Sequence, residues 1–131
     1  MGRAMILVLP LLLSSLSSGA LPGQSPDLSG AWIGDAVLPG STETDHITLV
    51  LEKAGDSYSG RFSDSRELAR DAALRDVTYN NGNLRFKVPV VIDGRNQTLR
   101  FGLNFHSGRL IGGWGTEGGN YGTLELSRRP K

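Results

Sequence analysis

The side chains suited to acid–base or metal chemistry are dispersed along the sequence. His46 and His106 are the only histidines, each beside a predicted turn, and no His-x-His or His-x-x-x-His spacing occurs. The chain has no cysteine, which excludes thiol catalysis and thiolate metal sites. Carboxylates fall on turns and polar strand faces, at Asp56, Asp64, Asp76, Asp93 and Glu117. We therefore expect no metal site.

Motifs that build known catalytic or nucleotide-binding loops are also missing. The sequence contains no Gly-x-Ser-x-Gly elbow, no P-loop, and no Gly-x-Gly-x-x-Gly that follows a strand and opens a helix. Two carboxylates that are distant in sequence could still approach each other across one end of a barrel. The pattern as a whole predicts a protein that is not an enzyme and uses no cofactor.

The elements that would position these groups are strands. Between Leu84 and Arg128, apolar and polar residues alternate in segments separated by short turns rich in Gly, Asn and Asp. Alternation with a period of two is typical of strands with one buried and one wet face. The Asn81-Gly82 pair is a strong signal for a tight hairpin.

The whole pattern predicts an all-β fold of eight antiparallel strands. We expect strands at 30–37, 46–53, 57–63, 74–79, 84–90, 99–105, 110–116 and 121–128. Consecutive hairpins of even spacing favour an up-and-down β-barrel, because closure removes exposed sheet edges. A two-sheet sandwich is the alternative. Residues 65–73 break the alternation and form either one or two helical turns or a surface loop.

The first residues of the 131-residue chain are typical of a secretory signal peptide. Arg3 precedes the apolar run Ala4–Leu13, and small residues at Ser18-Gly19-Ala20 suit cleavage after Ala20. The run is shorter than the roughly 20 residues that a transmembrane helix needs. We therefore expect a signal peptide over 1–20, a flexible leader over 21–29 and a barrel domain over 30–129. The predicted location is secreted or periplasmic, with no membrane span after cleavage.

Charge limits the classes of partner. The chain has 14 Lys and Arg against 13 Asp and Glu, and cleavage removes Arg3, which leaves equal numbers of each sign. Nucleic-acid binding depends on phosphate neutralisation by a basic surplus, so we expect no nucleic acid partner. A soluble monomer is the simplest expectation.

The start of the first predicted strand, Gly30-Ala31-Trp32, resembles the Gly-x-Trp signature of the lipocalins and the wider calycin superfamily. Further short motifs, in order, are similar to those of small secreted bacterial β-barrel domains: Trp32-Ile33-Gly34, Leu38-Pro39-Gly40, Tyr58-Ser59-Gly60, Val77-Thr78-Tyr79, Leu84-Arg85-Phe86, Gly112-Gly113-Trp114 and Leu124 to Arg128. The resemblance implies a lipocalin-like barrel. It also implies that a basic residue, Arg128 or else Arg129, packs over Trp32 at a closed barrel end.

The predicted function is the binding of a small apolar or amphipathic ligand inside the barrel. Pockets of this kind are mostly apolar, so the inward-facing aromatic side chains are the candidate lining: Tyr58, Phe62, Phe86, Phe101, Phe105 and Trp114. Trp32 is interpreted as a structural plug. The alternative is a module that binds an exported protein, like a protease inhibitor, through the N-terminal arm or the loops Leu38–Asp45 and Gly118-Gly119-Asn120.

Overall fold

The computed structural model describes residues 26–37, 42–117, 119 and 121–130. The predicted signal peptide and the first five residues of the leader lie outside the described residues. The same holds for residues 38–41, 118 and 120 of the two predicted recognition loops. In the described part of the chain, no helix has the length and apolar character needed to cross a membrane.

The described residues form a single antiparallel sheet of nine strands. The strands are β1 (Gly30–Val37), β2 (Thr44–Ala54), β3 (Ser57–Asp64), β4 (Ala72–Ala73), β5 (Arg75–Asn80), β6 (Asn83–Ile92), β7 (Arg95–His106), β8 (Arg109–Thr116) and β9 (Tyr121–Arg128). Their order in the sheet is β4-β3-β2-β1-β9-β8-β7-β6-β5. Each strand therefore lies beside its neighbours in sequence, except across the junction of β4 and β5, and the first strand pairs with the last.

This order confirms the predicted up-and-down antiparallel barrel, which is nearly closed. The strand count of eight was wrong, because the two residues of β4 pair with β3, with Arg61 opposite Ala73. The remaining seam lies between β4 and β5. There the N–H of Leu74 donates to the carbonyl of Gly60 at 3.0 Å, and the N–H of Val91 donates to that of Leu68 at 3.3 Å.

Residue types explain where the sheet is continuous and where it stops. The Asn81-Gly82 turn joins β5 to β6 with φ of 50° and 81°, as the tight hairpin predicted from these residues requires. Pairing of β5 with β6 extends only as far as Lys87. Pro89 follows and lies where β6 is a sheet edge, the position in which a residue without an N–H is tolerated.

The barrel has two ends with different coverings. Trp32, Tyr58 and Phe105 lie toward the first, the plugged end, which is covered by Pro26–Ser29. Ala36, Asp45 and Asp64 lie toward the second, the capped end, which is covered by residues 65–71, hereafter the cap. No helical turn is present in the cap, which consists of turns and bends.

The inward faces predicted from alternation are the buried ones. On β6, Leu84, Phe86, Val88 and Val90 are each at most 4% exposed, and the residues between them are more exposed. On β2, the buried residues Ile47, Leu49 and Leu51 are preceded in the same alternation by Asp45. The alternation therefore carries one carboxylate into the barrel.

Candidate functional site

The plugged end holds the three residues of the expected structural signature. The indole of Trp32 is completely buried, and its Nε1 donates to the carbonyl of Leu28 at 2.9 Å. The guanidinium carbon of Arg128 lies 4.5 Å from the centroid of the Trp32 ring. Gly30 has a φ of 122°, and a Cβ there would come within 3.3 Å of the Arg128 guanidinium. This arrangement agrees with what the calycin resemblance implies.

The described part of the expected flexible leader is fixed to the barrel. Leu28 is completely buried, and its N–H donates to the hydroxyl of Tyr58 at 2.9 Å. That hydroxyl donates to Oδ1 of Asp27 at 3.2 Å, and the hydroxyl of Tyr79 donates to the carbonyl of Pro26 at 3.1 Å. Burial of one leucine and hydrogen bonds to two tyrosines hold Pro26–Ser29 in place. Residues 26–29 therefore do not form a flexible arm.

The middle of the barrel is filled by aromatic rings. Phe86 and Phe101 stack with their centroids 4.8 Å apart and their planes 11° apart. Phe62 packs against Phe101 at 4.9 Å. All three side chains are at most 5% exposed. These contacts occupy the space that a deep ligand cup would need, so the described interior has no cup running through it.

The six candidate lining residues lie at different levels of the barrel. Phe62, Phe101 and Trp114 border a small cavity at the capped end. Tyr58 belongs to the plugged end, and Phe105 lies there too, edge-on to Trp32 with centroids 6.3 Å apart. Phe86 is in the filled layer and does not border the cavity. The structure therefore brings three of the six together.

The cavity at the capped end has a volume of about 20 Å³. Its walls are mainly apolar and are formed by Ala36, Asp45, Ile47, Phe62, Asp64, Leu68, Val90, Leu99, Phe101 and Trp114. A space of roughly 10–15 Å³ is enough for one water molecule. With the cap in this position, the cavity therefore admits a group about the size of one water or a single polar head group.

Two carboxylates of the cavity wall hold the cap. Oδ1 of Asp45, which is 4% exposed, accepts from the hydroxyl of Ser65 at 2.7 Å and from the N–H of Arg66 at 3.1 Å. Oδ1 of Asp64 accepts from the N–H of Ala69 at 2.8 Å. Each carboxylate therefore fixes one part of the cap backbone to the rim of the barrel.

Two polar atoms at the cavity lack partners. Oδ2 of Asp64 and Nε1 of Trp114 are buried, and neither has a hydrogen-bond partner among the described residues. Burial of this kind is costly for any polar group. The indole nitrogen is close to β9, since a Cβ on Gly122 would come within 2.6 Å of it. Asp64 and Trp114 both border the cavity, and each carries one buried polar atom without a hydrogen-bond partner among the described residues.

The environment changes the protonation of Asp64. Burial and, after it, the neighbouring Asp45 raise the pKa of this carboxyl to about 6; Asp45 acts through a hydrogen bond to the protonated form and through its negative charge, and hydrogen bonds from the backbone of Ala69 and Arg66 oppose the rise. In the ionised state, Oδ2 of Asp64 has no donor among the described residues. In the protonated state, the Asp64 carboxyl can donate to Asp45.

The sequence pattern contained a signal for these two carboxylates. Asp45 lies two residues before the buried Ile47, and Asp64 lies two residues after the buried Phe62, so each extends an inward-facing alternation. Asp64 was instead assigned to a turn or wet face, which was wrong. His46 and His106 are exposed, and His46 pairs with Asp35 on the outer surface. Among the described residues, no group of three or more potential ligands is suited to a metal ion.

Comparison with known proteins reveals a distant likeness in structure. No protein-family model matches the chain, and no curated protein sequence matches it. Among solved structures, the chain is similar to a mutant of the fluorescent protein UnaG, with 14% identity and a TM-score of 0.45. The likeness covers 79% of this chain and 97% of that one. A likeness of this degree says nothing about function.

Proposed function

We propose that this protein is an exported, non-catalytic β-barrel that binds a small amphipathic molecule at the capped end. The observation that carries the proposal is the small, mainly apolar cavity at this end, which is bordered by two residues with an unpartnered polar atom, Asp64 and Trp114. Ligand pockets are commonly apolar with a few convergent polar groups that fix orientation. A ligand that rearranges this end and reaches the two atoms with a donor and an acceptor would satisfy both.

Binding of anything larger than a polar head group requires the cap to move. Leu68 forms part of the cavity wall, and Ala69 is buried behind it. Residues 68 and 69 are held by the bonds between Ala69 and Asp64 and by the one from the Val91 N–H to the Leu68 carbonyl. Further bonds fix the two ends of the cap at Ser65, Arg66 and Asp71. Displacement of residues 68 and 69 would open the cavity to the outside and expose the faces of Leu99 and Phe101.

The residues around the cavity support binding over catalysis. Among the described residues that line it, Asp45 and Asp64 are the only ones with a titratable side chain, and none carries a hydroxyl, thiol, imidazole or amine. A nucleophile activated by a neighbouring base is therefore missing from this wall. Export is supported by the N-terminal sequence pattern. Intact-mass measurement of the protein recovered from the periplasm or medium tests export. We expect the mass of a chain that begins at Leu21, from which residues 1–20 have been removed.

Native mass spectrometry of the protein purified gently from its exporting host tests the binding proposal. We expect a co-purifying mass of a small molecule that is lost in Trp114→Phe, which removes the indole N–H and keeps an aromatic ring. The control is Tyr79→Phe, which removes a hydroxyl bond at the plugged end. A bare mass, together with a Trp114 indole signal that no small molecule shifts, would overturn the proposal.

A further inference from the structure

Four basic residues lie together on the outer side of the barrel wall that β5, β6 and β7 form. Arg75 is directly opposite Lys87, and Lys87 is directly opposite Arg100, so each strand contributes one cation to a row across the sheet. Arg85 lies two residues from Lys87 on the same face of β6. The chain has nearly equal numbers of acids and bases, so this cluster, hereafter the basic face, is a local concentration of positive charge.

The row of cations does not serve the stability of the sheet. Like charges directly opposite each other on neighbouring strands are destabilising. Nζ of Lys87 lies 3.2 Å from Oδ2 of Asp76, and the guanidinium of Arg100 comes only within 3.9 Å of Glu117. The other two cations of the basic face have no ion pair with an acid among the described residues. The excess positive charge therefore suits an anionic partner.

The sheet surface beside the cations is free of side chains. Arg85 is opposite Gly102 on β7, and Gly102 is opposite Gly113 on β8. A Cβ on Gly102 would meet nothing within 4 Å, so the space over the backbone there is open. A molecule held by the guanidinium groups can therefore lie directly against the sheet.

A groove open to solvent adjoins the basic face at the cap. It has a volume of about 660 Å³, and its walls include residues 67–70 of the cap and residues 89–91 of β6. Arg75 also lines it, together with three consecutive polar residues of β7, Asn96, Gln97 and Thr98. A groove accommodates a chain better than a flat lipid surface, and amide and hydroxyl side chains can both donate to and accept from sugar hydroxyls.

We propose that the basic face and the adjoining groove bind an anionic polysaccharide, a sugar chain that carries carboxylate groups. Guanidinium groups form paired, charge-assisted hydrogen bonds with carboxylates. A single exposed ion pair contributes little, so affinity requires several carboxylates of one chain to be bound at once. The basic face is on the outside of the barrel, and binding there is independent of the capped-end cavity.

Fluorescence anisotropy of a labelled oligogalacturonate, titrated with the purified protein, tests this proposal. The methyl ester of the same oligosaccharide is the matched probe, because it keeps the sugar rings and loses the negative charges. We expect the ester to bind at least about tenfold more weakly than the acid. Added salt should weaken binding of the acid, because exposed charges are screened.

Removal of cations from the row should weaken binding without weakening the fold. Arg75→Gln and Arg100→Gln should each lower the affinity about two- to fivefold, and the double variant about tenfold, as expected for exposed ion pairs. The urea midpoint of each should stay the same or rise, because a repulsion between opposite cations is relieved. Arg109→Gln is the control: it removes the same charge from β8, where Arg109 pairs with Glu125, and should leave the affinity unchanged.

Absence of binding to oligogalacturonate, or equal affinity for its methyl ester, would overturn the proposal. Equal losses of affinity in Arg100→Gln and Arg109→Gln would also overturn it. Two further probes separate the classes of partner: vesicles of phosphatidylglycerol and phosphatidylcholine, and polyglutamate. Either of these binding as tightly as the polysaccharide, at the same concentration of negative charge, would overturn the proposal in favour of a lipid surface or an acidic protein. None of these outcomes affects the proposed function at the capped end.

Discussion

The guanidinium of Arg128 lies over the indole of Trp32, and the two residues are directly opposite each other on β9 and β1. The same guanidinium donates to the carbonyl of Ser29 at 2.7 Å and to that of Asp27 at 2.6 Å. One side chain therefore joins the last strand, the first strand and the segment that covers the plugged end.

Replacement of Arg128 with Met should lower the free energy of unfolding by about 1–3 kcal/mol, since a cation–π contact and two charge-assisted hydrogen bonds are lost. Arg128→Lys should recover only part of this loss, because an ammonium cannot form the two-pronged contact. Urea unfolding followed by tryptophan fluorescence measures both. Arg129→Met is the control, and equal losses in the two Met variants would contradict the role given to Arg128.

Acidification should stabilise the protein through Asp64. Its pKa is raised from 3.8 to about 6 in the folded state, so the folded protein holds a proton that the unfolded chain releases between these values. The contribution of Asp64 is therefore fully present below pH 3.8 and is lost as the pH rises through about 6.

The difference in unfolding free energy between the unmodified protein and Asp64→Asn isolates this effect. Asparagine can keep the bond from the Ala69 N–H and donate to Asp45, but it does not titrate in this range. The unfolding free energy of the unmodified protein, relative to that of the variant, should be highest at acidic pH and should fall as the pH rises. A difference that does not change with pH, or that grows with rising pH, would contradict the raised pKa.

Leu28 should contribute to stability as a core residue does. Leu28→Ala should lower the free energy of unfolding by about 2–5 kcal/mol, because a fully buried leucine is lost from the plugged end. Val91→Ala is the control, since Val91 is 53% exposed and its truncation should cost much less. Thermal or urea unfolding distinguishes the two. Similar small losses would mean that Pro26–Ser29 is not part of the folded domain.

The sequence predicted the strands well because each strand repeats its pattern several times. Leu84, Phe86, Val88 and Val90 establish an inward face by repetition, and the Asn81-Gly82 turn fixes the register beside it. β4 has two residues, too few to show a period, so it was missed. Leu28 is one apolar residue among Pro, Ser and Asp, and a single residue has no periodicity that would indicate burial.

The candidate site was predicted only in part for a related reason. Alternation reveals which face of a strand is buried, but it does not reveal the level along the barrel axis at which a side chain lies. Tyr58 and Phe62 share a face of β3, yet one contacts the plugged end and the other borders the cavity. The level of a side chain along the barrel axis depends on the stagger between neighbouring strands, and that stagger is set by the strand pairings of the whole sheet.

The position of the Trp114 indole depends on the missing side chain of Gly122, the residue opposite it on β9. A Cβ at Gly122 would lie 2.6 Å from Nε1 of Trp114, and still closer to the carbonyl of Val37. Real side chains do not tolerate such contacts, so Gly122→Ala should displace both strand and ring. We expect a loss of about 1–3 kcal/mol in unfolding free energy from overpacking.

Gly102→Ala is a matched strand substitution on β7 and introduces no such clash. A Cβ there meets nothing within 4 Å, so the variant should be neutral or slightly more stable. The indole N–H signals in nuclear magnetic resonance spectra provide the decisive measurement. Gly122→Ala should shift the Trp114 signal and weaken small-molecule binding, while Gly102→Ala should change neither. An unshifted Trp114 signal in Gly122→Ala would show that this glycine does not position the indole at the cavity.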